Sequence, residues 1–204
     1  MKTRNIPFSP PDMSEEEVEL VAEALRSGWI TTGPKTKEFE QKIAKYCTTS
    51  KAVCLGSATA AMELTLRVLG VGPGDEVIVP AYTYTATASA VVHVGAVPVM
   101  VDSQPDCIEM DYDKMEAAIT ERTKVVVPVD IAGIVCDYDR VQVAVESKKS
   151  LFSPKSDIQK AFGRIIVMTD GAHAFGSRWH GKMCGEISDF TCFSFHAVKN
   201  FTTA

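Results

Sequence analysis

The sequence lacks the cysteine and histidine patterns that mark metal centres and disulfide frameworks. Its six cysteines form no C-x-x-C pair, and its four histidines form neither an H-E-x-x-H motif nor a Cys/His cluster. Zinc sites and disulfide-stapled folds depend on such spacings. We therefore expect reduced, mostly buried thiols and no metal site.

Long apolar runs and blocks of like charge are also absent. The chain carries 21 basic and 26 acidic residues, a net charge of −5, and no basic block suited to nucleic acid or anionic lipid. Its longest apolar runs, Ala90–Asp102 and Val125–Val135, are too short to span a bilayer. The first seven residues have no apolar signal-peptide core. We predict a cytoplasmic protein that binds neither nucleic acid nor membranes.

What the sequence does contain is an alternation of short apolar runs with helical segments. The predicted strands are Ala52–Leu55, Glu76–Val79, Val97–Asp102, Lys124–Val129, Ile165–Thr169 and Phe190–Phe195. The predicted helices are Glu15–Arg26 after the N-cap Ser14, Lys35–Cys47, Ala58–Leu69, Thr85–Val94, Tyr112–Thr120, Asp137–Lys148 and Asp157–Phe162. This rhythm predicts an α/β fold, a mostly parallel sheet with helices on both faces.

Ligands of such sheets bind outside the carboxyl ends of the strands, and the first candidate feature lies there. After the first predicted strand, Gly56–Thr59 turns directly into a helix. The free N–H groups and the positive dipole end of that helix suit a phosphate, with the Ser57 and Thr59 hydroxyls as further donors. The alternative is that these hydroxyls only cap the helix.

Two further strand ends carry aromatic and acidic side chains. Tyr82 and Tyr84 could stack on a planar ring, or pack in the core. Asp170 ends a buried strand, where it could pair with a protonated pyridine nitrogen or cap a helix. His173 could hydrogen-bond a cofactor's ring oxygen, help to orient Asp170, or be purely structural.

Lys199 follows Asp170 by 29 residues, after an apolar aromatic run. A lysine in such surroundings is partly desolvated, which favours the neutral amine that forms a Schiff base with an aldehyde cofactor. An ordinary solvated lysine is the alternative. A phosphate cup, a stacking aromatic ring, a pyridinium acid and this lysine together match the needs of a pyridoxal-phosphate site.

At this point the chain resembles the DegT/DnrJ/StrS family of pyridoxal-phosphate sugar aminotransferases, over essentially all 204 residues. The shared motifs are Pro7-Phe8, Gly28–Pro34, Phe39-Glu40, Gly56–Ala61, Gly72–Pro80, Tyr82–Ala88, Asp170–Gly176 and Ser194–Lys199. The resemblance implies the large domain of an aminotransferase type I fold. It also implies homodimers with shared active sites, and amino transfer, usually from glutamate, to a keto sugar linked to a nucleotide.

The resemblance also implies a role for each site residue. Lys199 would hold pyridoxal 5'-phosphate (PLP) covalently and later move a proton. The remaining cofactor contacts would be Asp170 at the pyridine nitrogen, Tyr84 on the ring, His173 near the ring, and Ala58, Thr59 and Ser194 at the phosphate. From this we predict an N-terminal arm and helix over residues 1–36 and an incomplete PLP-binding domain over residues 37–204.

Three departures from the family pattern bear on these expectations. Gly171 replaces a more usual alanine, a change expected to matter little, and Glu146–Phe162 is expected to form a surface excursion. The chain also stops five residues after Lys199, so we expect a truncated form without the small C-terminal domain. A non-catalytic or regulatory remnant is therefore one alternative. A PLP-dependent sugar dehydratase is another, although such dehydratases carry histidine in place of Lys199.

Overall fold

The computed structural model describes residues 4–7 and 10–203, so Phe8 of the Pro7-Phe8 motif lies outside the described residues. The chain separates into two compact units. The first unit comprises Met1–Cys54 with Phe195–Ala204, and the second comprises Leu55–Ser194. The domain boundary expected between residues 36 and 37 stays a prediction.

The first unit contains two helices whose ends are set by local capping. Helix α1 spans Glu15–Arg26, and Ser14 forms the predicted N-cap, because its hydroxyl accepts from the helix and the Glu17 carboxylate accepts from its backbone N–H. Helix α2 spans Pro34–Tyr46 with proline in its first turn. Neither helix has a fully buried side chain.

The second unit is built on a parallel sheet. Its strands are β1 (Glu76–Pro80), β2 (Val97–Val101), β3 (Thr123–Val126), β4 (Ile166–Asp170) and β7 (Phe190–Cys192). They lie in the order β2-β1-β3-β4-β7, and every pairing is parallel. The chain moves to one side of β1 to form β2 and then returns to the other side to form β3. The switch point of the sheet therefore lies between β1 and β3.

Helices cover both faces of this sheet, as predicted. The helices are α3 (Ala58–Val68), α4 (Ala86–His93), α5 (Tyr112–Ala117), α6 (Tyr138–Ser147) and α7 (Asp157–Phe162). Side chains alternate along each strand, so Val77 and Val79 of β1 join the core that contains α3 and α4. Ile78 joins the opposite core, which contains α5 and α6.

One predicted strand does not form, and one hairpin was not predicted. Ala52–Leu55 forms no strand, because a strand needs a neighbour to accept its ladder bonds, and the described residues pair none with it. A short antiparallel hairpin, β5 (Arg178–Trp179) and β6 (Lys182–Met183), was missed. Its two-residue strands are too short to produce a visible alternation of apolar residues.

The segment Glu146–Phe162 lies at the surface, as expected, with most of its residues exposed, but it is anchored to the rest of the unit. After a 3₁₀ turn at Lys149–Leu151, it packs back onto the end of α3. Ser156 Oγ and Gln159 Nε2 donate to the Leu69 carbonyl at 2.8 and 2.9 Å, and Gln159 is fully buried. Polar side chains that satisfy a helix end hold this segment in place.

Within the described residues, none of the helices is both long and apolar enough to cross a membrane.

Candidate active site

Asp170 lies at the carboxyl edge of the sheet, where β4 meets the residues after β3. Its backbone N–H donates to the Pro128 carbonyl at 3.0 Å, and its carbonyl accepts from Asp130 N at 3.1 Å. These bonds extend the ladder beyond β3 through a bridge between Val129 and Asp170. The main chain of Asp170 is therefore fixed by regular pairing beside the switch point of the sheet.

The carboxylate of Asp170 is buried and held by two donors. The side chain is 5% exposed; Thr87 Oγ1 donates to Oδ2 at 2.7 Å, and Ala172 N donates to Oδ1 at 3.2 Å. The residues after Asp170 form a turn and not a helix, so the alternative that Asp170 caps a helix is wrong. A carboxylate has about four acceptor positions, so two donors leave capacity for a further donor.

The negative charge of Asp170 affects the pKa of Cys192, its neighbour on β7. Cys192 pairs with Asp170 in the β4–β7 register. Burial, helped by the negative charge of Asp170, raises the pKa of the Cys192 thiol to about 12. The thiol therefore stays protonated and does not compete as a second anion at this edge.

The amino end of α3 presents free backbone donors. Ser57 is the N-cap, and its hydroxyl accepts from Ala60 N at 3.0 Å, which confirms the capping alternative for this residue. Within the described chain, no acceptor is found for the amides of Ala58 and Thr59. Their two N–H groups, with the Thr59 hydroxyl, form a donor set that suits a phosphate group.

Tyr84 is available for stacking. Its side chain is 78% exposed, and Tyr82 is also exposed, so the alternative that these rings pack in the core is wrong. Tyr84 is nevertheless tied to Asp170 through Thr87, whose backbone N–H donates to the Tyr84 carbonyl at 3.2 Å and whose hydroxyl donates to the carboxylate. Thr87 was part of a recognised motif, but sequence analysis gave it no role.

His173 follows Asp170 in the same turn and contacts a strained segment. Its Nδ1 accepts from Ala132 N at 3.3 Å. Ala132 has a φ of 54°, a left-handed conformation that is uncommon outside glycine. Because Nδ1 accepts here, the ring proton lies on Nε2.

A buried network beneath this edge was missed in the sequence. The carboxylate of Asp130 accepts from Cys136 N and Tyr138 OH through Oδ1, at 3.0 and 3.1 Å, and from Cys184 Sγ through Oδ2 at 3.1 Å. Burial raises the pKa of Asp130 although these bonds oppose the shift. The network fixes the chain on both sides of Ala132. An acid after a buried strand was visible in the sequence, but its partners were not.

Gly171 is constrained by packing, contrary to the expectation that alanine would serve equally well. A Cβ at this position would lie 2.9 Å from Thr191 Cγ2 and 3.2 Å from the Phe193 ring. Phe193 is itself packed edge-on against Phe175 at 5.4 Å between ring centroids. An alanine at position 171 would therefore require the Thr191 methyl group and the Phe193 ring to shift.

The remaining two predicted residues lie near the boundary of the units. Ser194 ends the second unit, whereas Lys199 belongs to the first. Lys199 is half-buried in a turn, and its N–H donates to the His196 carbonyl at 2.9 Å. Within that unit, Phe195 packs against Phe39 and Phe201, each at 5.4 Å between ring centroids. Six of the seven predicted positions thus fall in the second unit.

The loop Gly28–Pro34 of the first unit is a turn anchored by its tryptophan. Trp29 Nε1 donates to the Thr32 carbonyl at 3.1 Å. A Cβ on Gly33 would lie 2.1 Å from that same nitrogen, so glycine is needed for the indole to lie across the turn.

Comparison with known proteins gives a consistent match. The profile of the DegT/DnrJ/EryC1/StrS aminotransferase family matches residues 11–204. The chain is 40% identical to the spore coat polysaccharide biosynthesis protein SpsC of Bacillus subtilis, over 97% of this chain and 47% of that protein. It is 42% identical to the UDP-4-amino-4-deoxy-L-arabinose–oxoglutarate aminotransferase of Shewanella sediminis, over 100% of this chain and 48% of the relative.

Solved structures agree with the fold. The putative sugar aminotransferase Spr1654 of Streptococcus pneumoniae, known in apo, PMP and PLP forms, matches with a TM-score of 0.97 and 64% identity. That match covers 98% of this chain and 50% of the apo-form chain. The chain therefore spans about half the length of the proteins that it matches.

Proposed function

This chain belongs to the DegT/DnrJ/EryC1/StrS aminotransferase family, and from that membership we propose that it supplies the cofactor-binding part of an enzyme that transfers amino groups to sugars. The observation that carries the proposal is Asp170. Its buried carboxylate is fixed at the sheet edge by two donors and retains the capacity to accept a third.

The residues of the second unit fit the family's cofactor, PLP. When bound, PLP supplies an electron-withdrawing ring and an aldehyde that takes up amino groups. Asp170 would accept from the ring nitrogen and keep a proton on it, and the exposed Tyr84 would lie against the ring. His173, with its proton on Nε2, would donate a hydrogen bond from that atom.

Backbone donors would hold the phosphate. The amides of Ala58 and Thr59 and the Thr59 hydroxyl converge at the positive end of the α3 dipole. Ser194 would add a hydroxyl from the end of the second unit. These donors need no positive side chain, which accords with the absence of a basic cluster in the sequence.

Lys199 would have two tasks. Its Nζ would hold the cofactor covalently between turnovers, and after release by the incoming amine it would move a proton between substrate and cofactor carbon atoms. Burial alone would nominate a different lysine. Lys124 is only 1% exposed, and burial lowers its pKa. It lies near the start of β3, at the end of the sheet opposite Asp170.

The substrate we propose is a keto sugar linked to a nucleotide, with glutamate as the amino donor. The name of the Shewanella relative joins a UDP-linked amino sugar with oxoglutarate, the keto acid that glutamate leaves after giving up its amino group. The name of the Bacillus relative concerns polysaccharide biosynthesis. We further propose a cytoplasmic homodimer with shared active sites, as the family resemblance implies.

Covalent trapping tests the site directly. The full-length protein, loaded with PLP and reduced with borohydride, should carry the cofactor on the peptide that contains Lys199. Lys124 serves as the internal control, because it is the lysine that burial alone would favour. Label on Lys124, or no label on Lys199 in protein that binds PLP, would overturn the assignment.

The donor is tested by absorbance. Glutamate added to the PLP-loaded full-length protein should convert the cofactor to its pyridoxamine form without any sugar present, and aspartate or alanine should do so more slowly. Conversion by another amino acid but not by glutamate would overturn the proposed donor. In a second reaction that contains the keto sugar, formation of a deoxy sugar instead of an amino sugar would show that the protein catalyses dehydration.

A further inference from the structure

Thr87 occupies the centre of a buried hydrogen-bond chain that ends on Asp170. Its side chain is 1% exposed, and its Oγ1 lies 2.7 Å from Asp170 Oδ2, 2.9 Å from Thr83 Oγ1 and 3.2 Å from the Tyr84 carbonyl. The contact to Asp170 joins residues 83 positions apart, so it is a feature of the fold.

The direction of this chain follows from counting hydrogens. A threonine hydroxyl has one hydrogen and two lone pairs. The Asp170 carboxylate and the Tyr84 carbonyl can only accept, so the hydrogen of Thr87 goes to one of them. The carboxylate is closer and charged, and it therefore takes the hydrogen. The Thr83 hydroxyl is then the donor to Thr87 Oγ1. Each hydroxyl polarises the next, which strengthens the bond to Asp170.

Thr87 also connects two proposed cofactor contacts, one through its backbone N–H and the other through its hydroxyl. Thr87 lies in the first turn of α4, and its N–H donates to the Tyr84 carbonyl at 3.2 Å. Its backbone therefore holds the loop that carries the exposed ring of Tyr84, while its hydroxyl holds the acid. A displacement of α4 would move both contacts together.

We infer that Thr87, supported by Thr83, is a positioning residue that orients the Asp170 carboxylate toward the ring nitrogen of the cofactor. The inference rests on the proposed function for the identity of that nitrogen. Without the hydroxyl, Oδ2 stays buried and loses its donor, and Ala172 N remains as the donor to Oδ1. The Asp170 carboxylate would then be less well oriented toward the cofactor.

Isosteric substitution separates the hydroxyl from the packing of its methyl group. Thr87→Val keeps the branched shape and removes the hydroxyl, whereas Thr87→Ser keeps the hydroxyl and removes the methyl group. Thr83→Val removes the hydroxyl that donates to Thr87. Asp170→Asn provides the reference for a site without its acid. All four changes are made in the full-length protein, and thermal melting identifies any variant that does not fold.

Two readouts do not depend on turnover. The first is the dissociation constant of PLP, measured by titration of the apoprotein. The second is the chemical shift of the ring nitrogen in ¹⁵N-labelled PLP, which reports whether that nitrogen is protonated. Thr87→Val should weaken PLP binding about tenfold or more, the effect expected for a lost hydrogen bond to a charged group. It should also move the ¹⁵N shift toward that of Asp170→Asn.

The variants make the inference falsifiable in several ways. Thr87→Ser should resemble the unmodified protein, and Thr83→Val should show a smaller change in the same direction as Thr87→Val. A Thr87→Val protein that matches the unmodified protein overturns the inference, as does a Thr87→Ser protein that is equally impaired. If Thr87→Val does not fold, Thr83→Val decides, and an unchanged ¹⁵N shift in that variant overturns the inference.

The reference variant distinguishes failure of this inference from failure of the proposed function. If Asp170→Asn weakens PLP binding and Thr87→Val does not, the site stands and only the role of Thr87 is wrong. If Asp170→Asn binds PLP as the unmodified protein does, or if the unmodified protein does not bind PLP, the proposed function fails and this inference fails with it.

Discussion

The two units of this chain hold their helices by different means. In the first unit, α1 and α2 have no fully buried side chain, and capping by Ser14 and a proline in the first turn of α2 define where they begin. In the second unit, α3 to α6 each bury side chains against a parallel sheet. Asp170 therefore has a firm frame, whereas Lys199 lies in the unit whose own helices are less well packed. Four predictions would break or sharpen this contrast.

The largest effect is expected at Lys199, on activity and not on stability. Lys199→Ala in the full-length protein should abolish transamination, because no other group would hold the cofactor covalently and move the proton. The melting temperature without PLP should hardly change, since the side chain is half-buried in a turn. Steady-state turnover and thermal melting measure the two effects. Near-normal turnover would refute the catalytic role.

A matched pair of leucines tests the difference in packing. Leu66 of α3 is fully buried, whereas Leu25 of α1 is 64% exposed. Leu66→Ala should lower the free energy of unfolding by about 2–5 kcal/mol, and Leu25→Ala by less than about 0.5 kcal/mol. Urea unfolding of both variants gives the comparison. Equal losses would mean that α1 is packed as firmly as α3.

Gly171 tests how tightly the frame around Asp170 is built. Gly171→Ala should lower the free energy of unfolding by about 1–3 kcal/mol, because the new methyl group meets Thr191 and Phe193. Gly56→Ala is the control, since a Cβ at Gly56 has no atom within 4 Å. Both are measured by chemical denaturation. If Gly171→Ala costs no more than Gly56→Ala, β7 is free to move.

Thiol labelling gives the smallest effect and compares the units within one molecule. Burial raises the pKa of Cys47 in the first unit and of Cys192 in the second, to about 12 for Cys192. At pH 8 both must be exposed by opening before they react. We expect the first unit to open at a free-energy cost about 1.4 kcal/mol lower than that of the second unit. Cys47 should therefore be labelled about tenfold faster than Cys192. The exposed Cys107 should react first, and mass spectrometry gives all three rates.

The contrast between units also explains which features could be predicted from the sequence. The limits of α1 were predicted correctly because Ser14 and the glutamates after it are local signals. The strands β1, β3 and β4 were predicted because buried parallel strands are continuous apolar runs. The edge strand β2 was predicted from an equally apolar sequence, although it is partly exposed. Ala52–Leu55 has the same composition but forms no strand, because pairing depends on a neighbour that composition does not reveal.

The predicted site rests on residues whose chemistry is visible in the sequence, such as Asp170 at a strand end and Tyr84 in an aromatic loop. The structure removes one alternative for each, because a turn and not a helix follows Asp170 and the Tyr84 side chain is exposed. Thr87 could not be found, since a threonine in a helix has no distinctive pattern. Its importance arises from a contact with a residue 83 positions later, which only the folded chain creates.

The order of the strands has a consequence for synthesis on the ribosome. β1 needs β3, which lies more than 40 residues later in the chain, before both of its edges are paired, and β4 waits for β7. Parallel strands cannot pair as hairpins while the chain leaves the ribosome. Their apolar faces are therefore synthesised before the strands and helices that bury them. A nascent chain paused before residue 190 would present one unpaired edge of β4 to chaperones and proteases.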